Sequence, residues 1–152
     1  MKRHFVLLLI LFAVSAVFVL PATAGHMGVR TGLSLDPTDF LIGLHFRTGP
    51  LSERLHFVPS LEAGFGDVTM IAGNADLHYV FKTSSELAPY AGGGLTLNWF
   101  DSDGGNSDVE FGGSFLGGIL LGQTKLGEMF LEAKIGLGDV PDWKFLVGWN
   151  LR

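Results

Sequence analysis

The stretch EMFLEAKIGLG, residues 128–138, places Met129, Leu131, Ala133, Ile135 and Leu137 at every second position. Phe130, Glu132, Lys134 and Gly136 fall between them. Successive side chains of a β-strand point to opposite faces, so this segment has one greasy face and one charged face. In a soluble protein the greasy face turns inward. In a barrel that crosses a bilayer it turns outward. The fold depends on which face is the inside.

The same alternation recurs along the chain. HMGVRTGLSL (26–35) sets Met27, Val29, Leu33 and Leu35 against Gly28, Arg30, Gly32 and Ser34. FLIGLHFRTG (40–49) sets Phe40, Ile42, Leu44 and Phe46 against Leu41, Gly43, His45 and Arg47. RLHFVPSLEAGFG (54–66), VTMIAGNADLHYVFK (68–82), APYAGGGLTLNWF (88–100), VEFGGSFLGGILLG (109–122) and WKFLVGWNLR (143–152) behave alike. Pro59 is an awkward strand residue and predicts a bulge or a local ladder break. The segments are separated by DPTD, PLSE, a turn near Asp67, TSSEL, DSDGGNSD, QTKLG and DVPD, all rich in turn-forming residues. Eight strands of roughly ten residues with short connections predict an all-β, antiparallel up-and-down meander, of the length that spans a bilayer.

The N-terminus predicts the compartment. Lys2 and Arg3 precede the apolar run FVLLLILFAVSAVFVL (5–20), and Ala22-Thr23-Ala24 supplies a small-x-small cleavage site. This is the layout of a secretory signal peptide, residues 1–24, leaving residues 25–152 as one domain. An uncleaved anchor is the alternative. Loss of Lys2 and Arg3 leaves 8 of the 10 basic residues against all 15 acidic ones, a formal charge of −7. Nucleic acid is therefore not an expected partner. With no cysteine, the exported chain is not a disulfide-stapled mini-domain. No second apolar run reaches 18 residues, and 22 glycines disfavour helices.

Aromatic bulk decides between the faces. Phe40, Phe46, Phe57, Phe65, Tyr79, Phe81, Trp99, Phe111, Phe115, Trp143, Phe145 and Trp149 all share the greasy face. An eight-stranded barrel has an interior only wide enough for side chains to fill, too narrow for that load. The opposite face carries glycines and a balanced charge set. Arg30, Arg47, Lys134 and Lys144 are its cations, and Glu62, Asp76, Glu110 and Glu132 its anions. Buried charges are tolerated when paired and hydrogen-bonded, so these eight predict an ion-pair network plugging the lumen. The reading is an eight-stranded transmembrane β-barrel. The rival is a soluble periplasmic barrel or sandwich with its greasy face inward around an apolar ligand.

With the signal peptide, the eight alternating segments, APYAGGGLTLNWF in the middle and KFLVGWNLR at the end, the chain resembles the small outer-membrane β-barrel family that includes OmpA and OmpX. The resemblance covers residues 25–152. It implies an eight-stranded barrel in the outer membrane of a Gram-negative bacterium. Membrane lipids, lipopolysaccharide and the outer-membrane assembly machinery are then the expected partners, in a structural or interaction role without catalysis or cofactor.

Three candidate sites follow. Connections after odd-numbered strands carry Asp36, Asp39, Asp67, Asp101, Asp103, Asp108, Asp139 and Asp142, an acidic outer rim able to hold divalent cations beside lipopolysaccharide phosphates. The opposite turns carry Arg54, Lys82 and Lys125. His45, His56 and His78 share lumen parity; pairing about PLSE and Asp67 would set them in a row, a potential transition-metal site or a hydrogen-bonded filler. Ser60, His78 and Asp76 share that face too, the residue types of a serine hydrolase. Lumen parity keeps them from a lipid ester, so a lipid-modifying enzyme is only the alternative function.

Overall fold

The protein's computed structural model describes residues 25–66, 69–101 and 107–151. Residues 1–24, where the sequence leads one to expect a leader, lie outside them. The strands are β1 (His26–Leu35), β2 (Asp39–Arg47), β3 (Leu55–Gly66), β4 (Thr69–Val80), β5 (Ala88–Asp101), β6 (Ser107–Gln123), β7 (Gly127–Gly138) and β8 (Trp143–Leu151). Each pairs antiparallel with the next, and β8 pairs with β1 to close the barrel. Closure removes both sheet edges, the condition under which strands can sit in lipid. The alternation predicted this count and order. It did not predict that β5 and β6 run on into DSDGGNSD, through Asp101 and from Ser107.

The greasy face is outside. Phe40, Phe65, Phe111, Phe115 and Phe145 are exposed, Phe115 at 63%. Trp143 stacks beside Phe145, and Tyr79 meets Phe81 edge-on, on this outer surface. The inside is mixed. Arg30, Glu62, Asp76, Glu132, Lys134 and Lys144 are each at most 4% exposed. Two apolar clusters share the lumen with them. Leu41, Met70, Ala72 and Leu146 pack together with Phe100; Tyr90, Leu116, Leu120 and Phe130 pack with Val80 and Ala88. The lumen is thus not a purely polar plug, because Leu41, Met70 and Phe130 fall on its parity.

Register sets the stagger. From Arg30 the ladder runs through Gly43, Glu62, Ala72 and Asn98 to Glu110 on β6. In the other direction it runs through Gly148 and Phe130 to Leu120, also on β6. The two paths miss each other by ten residues on that strand. A barrel closes only when its strands tilt, and this offset is the tilt expressed in register. Pro59 does not shift the β3–β4 ladder, where it faces Ala75; the β2–β3 ladder stops one residue short of it, at His45 and Ser60. The register shift lies instead between Leu120 and Gln123. Gly122 sits there with φ of 87°, a conformation that favours glycine.

Candidate functional site

The lumen is built on strand parity. Every second side chain of each strand points in, and glycines on the same parity make the room. A Cβ on Gly94 would collide with the Asp76 carboxylate, and one on Gly28 with the His45 ring. Small residues therefore sit beside large polar side chains of the neighbouring strand, Gly94 opposite Asp76 and Gly28 opposite His45 in the ladder.

The central charges form two sets of contacts. Lys144 Nζ donates to Glu62 Oε2 at 2.9 Å, and Arg30 NH1 donates to Glu62 Oε1 at 3.3 Å. Arg30 NH1 also lies 3.8 Å from Glu132 Oε1. Tyr90 donates its hydroxyl to Glu132 Oε2 at 2.8 Å. Lys134 Nζ donates to Asp76 Oδ2. Three cations thus meet three carboxylates in a low-dielectric space, where an unpaired charge is costly.

Toward the end carrying residues 48–54, a second pairing appears. Arg47 NH1 donates to Glu128 Oε2 at 3.0 Å, and Asn150 Nδ2 donates to the same oxygen at 3.2 Å. The alternation of residues 128–138 leaves Glu128 on the lumen side, two positions before Phe130, and that parity was the signal for it. Glu110 is the corresponding correction. It is partly exposed near the opposite mouth, its electrostatic neighbours are Asp108 and Asp139, and it joins none of these ion pairs. The stagger carries it away from Arg30. Glu128 takes its place in the charge balance.

The histidine row is also corrected. His56 does face His78 across β3–β4, but His45 faces Ser60. His45 Nε2 bonds Asn150 Oδ1 at 2.8 Å, and His56 Nδ1 bonds the Thr48 carbonyl at 2.9 Å. The His78 ring stacks on Tyr90 at 4.8 Å, with Nε2 3.6 Å from Glu132. Among the described residues no three His, Cys, Asp or Glu side chains converge as a metal-holding group. Ser60, His78 and Asp76 form no relay either: Ser60 Oγ accepts from Asn74, and Asp76 holds Lys134.

The acidic rim divides. Asp36, Asp108, Asp139 and Asp142 are exposed at the end of the barrel opposite Arg54, Lys82 and Lys125. Asp39 is 1% exposed and so belongs to the wall rather than the rim. Asp67, Asp103 and the Asp101 side chain lie outside the described residues. Among the described residues the lumen includes two small voids, each of about 10 Å³. One is bordered by Arg30, Arg47 and His78, the other by Thr96, Lys134 and Lys144. Each has room for at least one water-sized occupant.

No protein-family model matches this chain, and no curated protein matches it in sequence. Solved structures do match in shape. The crystal structure of the N-terminal β-barrel domain of OprF from Pseudomonas aeruginosa aligns with a TM-score of 0.70 at 16% identity, covering 82% of this chain and 93% of that one. The crystal structure of Neisserial surface protein A aligns with a TM-score of 0.58 at 16% identity, covering 84% and 96%. At such identity the likeness concerns fold, and it agrees with the closed meander described above: this chain has the eight-stranded fold of the small outer-membrane β-barrels.

Proposed function

We propose that this chain is an outer-membrane barrel of a Gram-negative envelope, exported by a cleaved leader at residues 1–24, with a closed lumen and a structural or interaction role without catalysis. The observation that carries the reading is the inverted distribution of side chains. Phe40, Phe65, Phe111 and Phe115 are more than half exposed, while Arg30, Lys134 and Lys144 are at most 4% exposed. Water would penalise both halves of that arrangement; hydrocarbon around the wall removes the first penalty, and pairing inside offsets the second. Apolar clusters at either end of the ion-pair belt support a plug rather than a pore. The exposed Asp36, Asp108, Asp139 and Asp142 fit an outward rim beside lipopolysaccharide, with divalent cations between carboxylates and phosphates. Assembly machinery and membrane lipids remain the other partners of the reading.

Membrane fractionation with gel migration before and after boiling tests the location. The reading expects sedimentation with outer membranes and a faster-migrating unboiled band. Recovery in periplasmic extract refutes it. Planar-bilayer recordings test the plug, and steady large conductance contradicts closure.

A further inference from the structure

At the end of the lumen away from the acidic turns, Arg30, His45, Arg47, His78, Phe130 and Asn150 border one cavity of about 10 Å³. Four buried nitrogens on these side chains have no hydrogen-bond partner among the described residues: Arg30 Nε, Arg47 Nε, His45 Nδ1 and His78 Nε2. Buried polar groups are ordinarily satisfied, so a cluster of orphans around one space points to an occupant. Guanidinium Nε–H groups are permanent donors. The NH1 atoms of both arginines are already engaged by Glu62 and Glu128, which holds the side chains in place.

The hydrogen-bond directions at His45 add a condition. Asn150 Nδ2 donates to Glu128, so Asn150 Oδ1 is the acceptor for His45 Nε2–H. In neutral His45 this leaves Nδ1 as a bare lone pair, and protonation turns Nδ1 into a donor. Charge balance sets the same condition. Arg30, Lys134 and Lys144 are matched by Glu62, Asp76 and Glu132, and Arg47 by Glu128. An anion entering this neutral lumen is costly unless a proton accompanies it.

We propose that this cavity binds one small inorganic anion of chloride size, taken up together with a proton on His45. The guanidinium Nε–H groups of Arg30 and Arg47 and the newly protonated His45 Nδ1 are its donors. Arg30 and Arg47, with Lys134 and Lys144 farther off, oppose the imidazolium. Asp76, Glu62, Glu128 and Glu132 favour it, and His56, His78 and Tyr90 are the other titratable side chains at this end of the lumen. An anion between His45 and the two arginines relieves their repulsion, so proton and anion bind cooperatively.

The experiment uses the folded full barrel in detergent micelles, with sodium chloride compared against sodium gluconate at equal ionic strength. Chloride binding is read from ³⁵Cl line broadening and from thermal unfolding. Chloride is expected to bind and stabilise near about pH 5, its apparent Kd rising by up to about tenfold per pH unit as one proton is lost. At about pH 8 the two salts are expected to behave alike. His45→Gln, verified as a heat-modifiable barrel, is expected to lose the pH dependence, and Arg47→Gln to weaken chloride binding. Equal behaviour of chloride and gluconate at the lower pH overturns the proposal, as does pH-dependent chloride binding that survives His45→Gln. Should that variant not fold, the wild-type signal decides: broadening that bromide displaces from one site sustains the proposal, and broadening no greater than in empty micelles overturns it.

Discussion

The middle of the lumen and its acidic mouth use the same carboxylate chemistry under opposite conditions. Glu62, Asp76 and Glu132 are each at most 4% exposed, and each lies against a cation. Asp108, Asp139 and Asp142 are exposed, with Glu110 close by among like charges. Coulomb attraction is weak in water and strong where the dielectric is low, so a partner matters far more in the lumen. Removing one interior partner strands another charge there; removing a rim carboxylate leaves a hydrated surface. Loss of an interior partner therefore weighs far more than loss of a mouth charge, while the mouth charges contribute to the external field.

Substitutions break this comparison in order of size. Glu62→Ala leaves Lys144 and one contact of Arg30 uncompensated, and is expected to cost about 3–5 kcal/mol, read as loss of the heat-modifiable band at lower urea. Phe115→Arg puts a charge on the exposed wall facing hydrocarbon and is expected to cost about 2–4 kcal/mol in lipid vesicles if the residue lies near the bilayer midplane. An equal cost in water and in lipid would show that Phe115 does not face hydrocarbon. The double change Glu62→Gln with Lys144→Met removes both charges of one pair and is expected to cost less than Glu62→Ala alone, which a double-mutant cycle measures. Glu128→Gln, in a partly exposed pair, is expected to cost about 1 kcal/mol. Asp139→Asn at the mouth is expected to change stability by less than about 0.5 kcal/mol, and a larger loss would mean that the rim holds a structural ion.

Much of the wall was legible because parity is a local property. Met129 and Glu132 must face opposite ways in any strand containing both, whatever lies next to that strand. Pairings were less legible. Arg47 finds Glu128, 81 positions away, across a lumen whose stagger no single strand encodes. Glu110 has the right parity and the wrong height, and His45 faces Ser60 instead of His56 because the ladder around residues 48–54 is offset from a simple hairpin. The two luminal apolar clusters went unrecognised for a related reason. Leu41, Met70 and Phe130 look like interruptions of a polar face until opposite walls bring them together.

The sequence by itself determined the strands, their order and the face each side chain takes, since alternation and short turns act within or between adjacent segments. Only the tertiary structure decided which charges meet, which stand apart at the mouth, and where orphaned nitrogens gather around one cavity. Those outcomes depend on the ten-residue offset with which the barrel closes. That offset arises from the geometry of all eight strands together and is written in none of them separately.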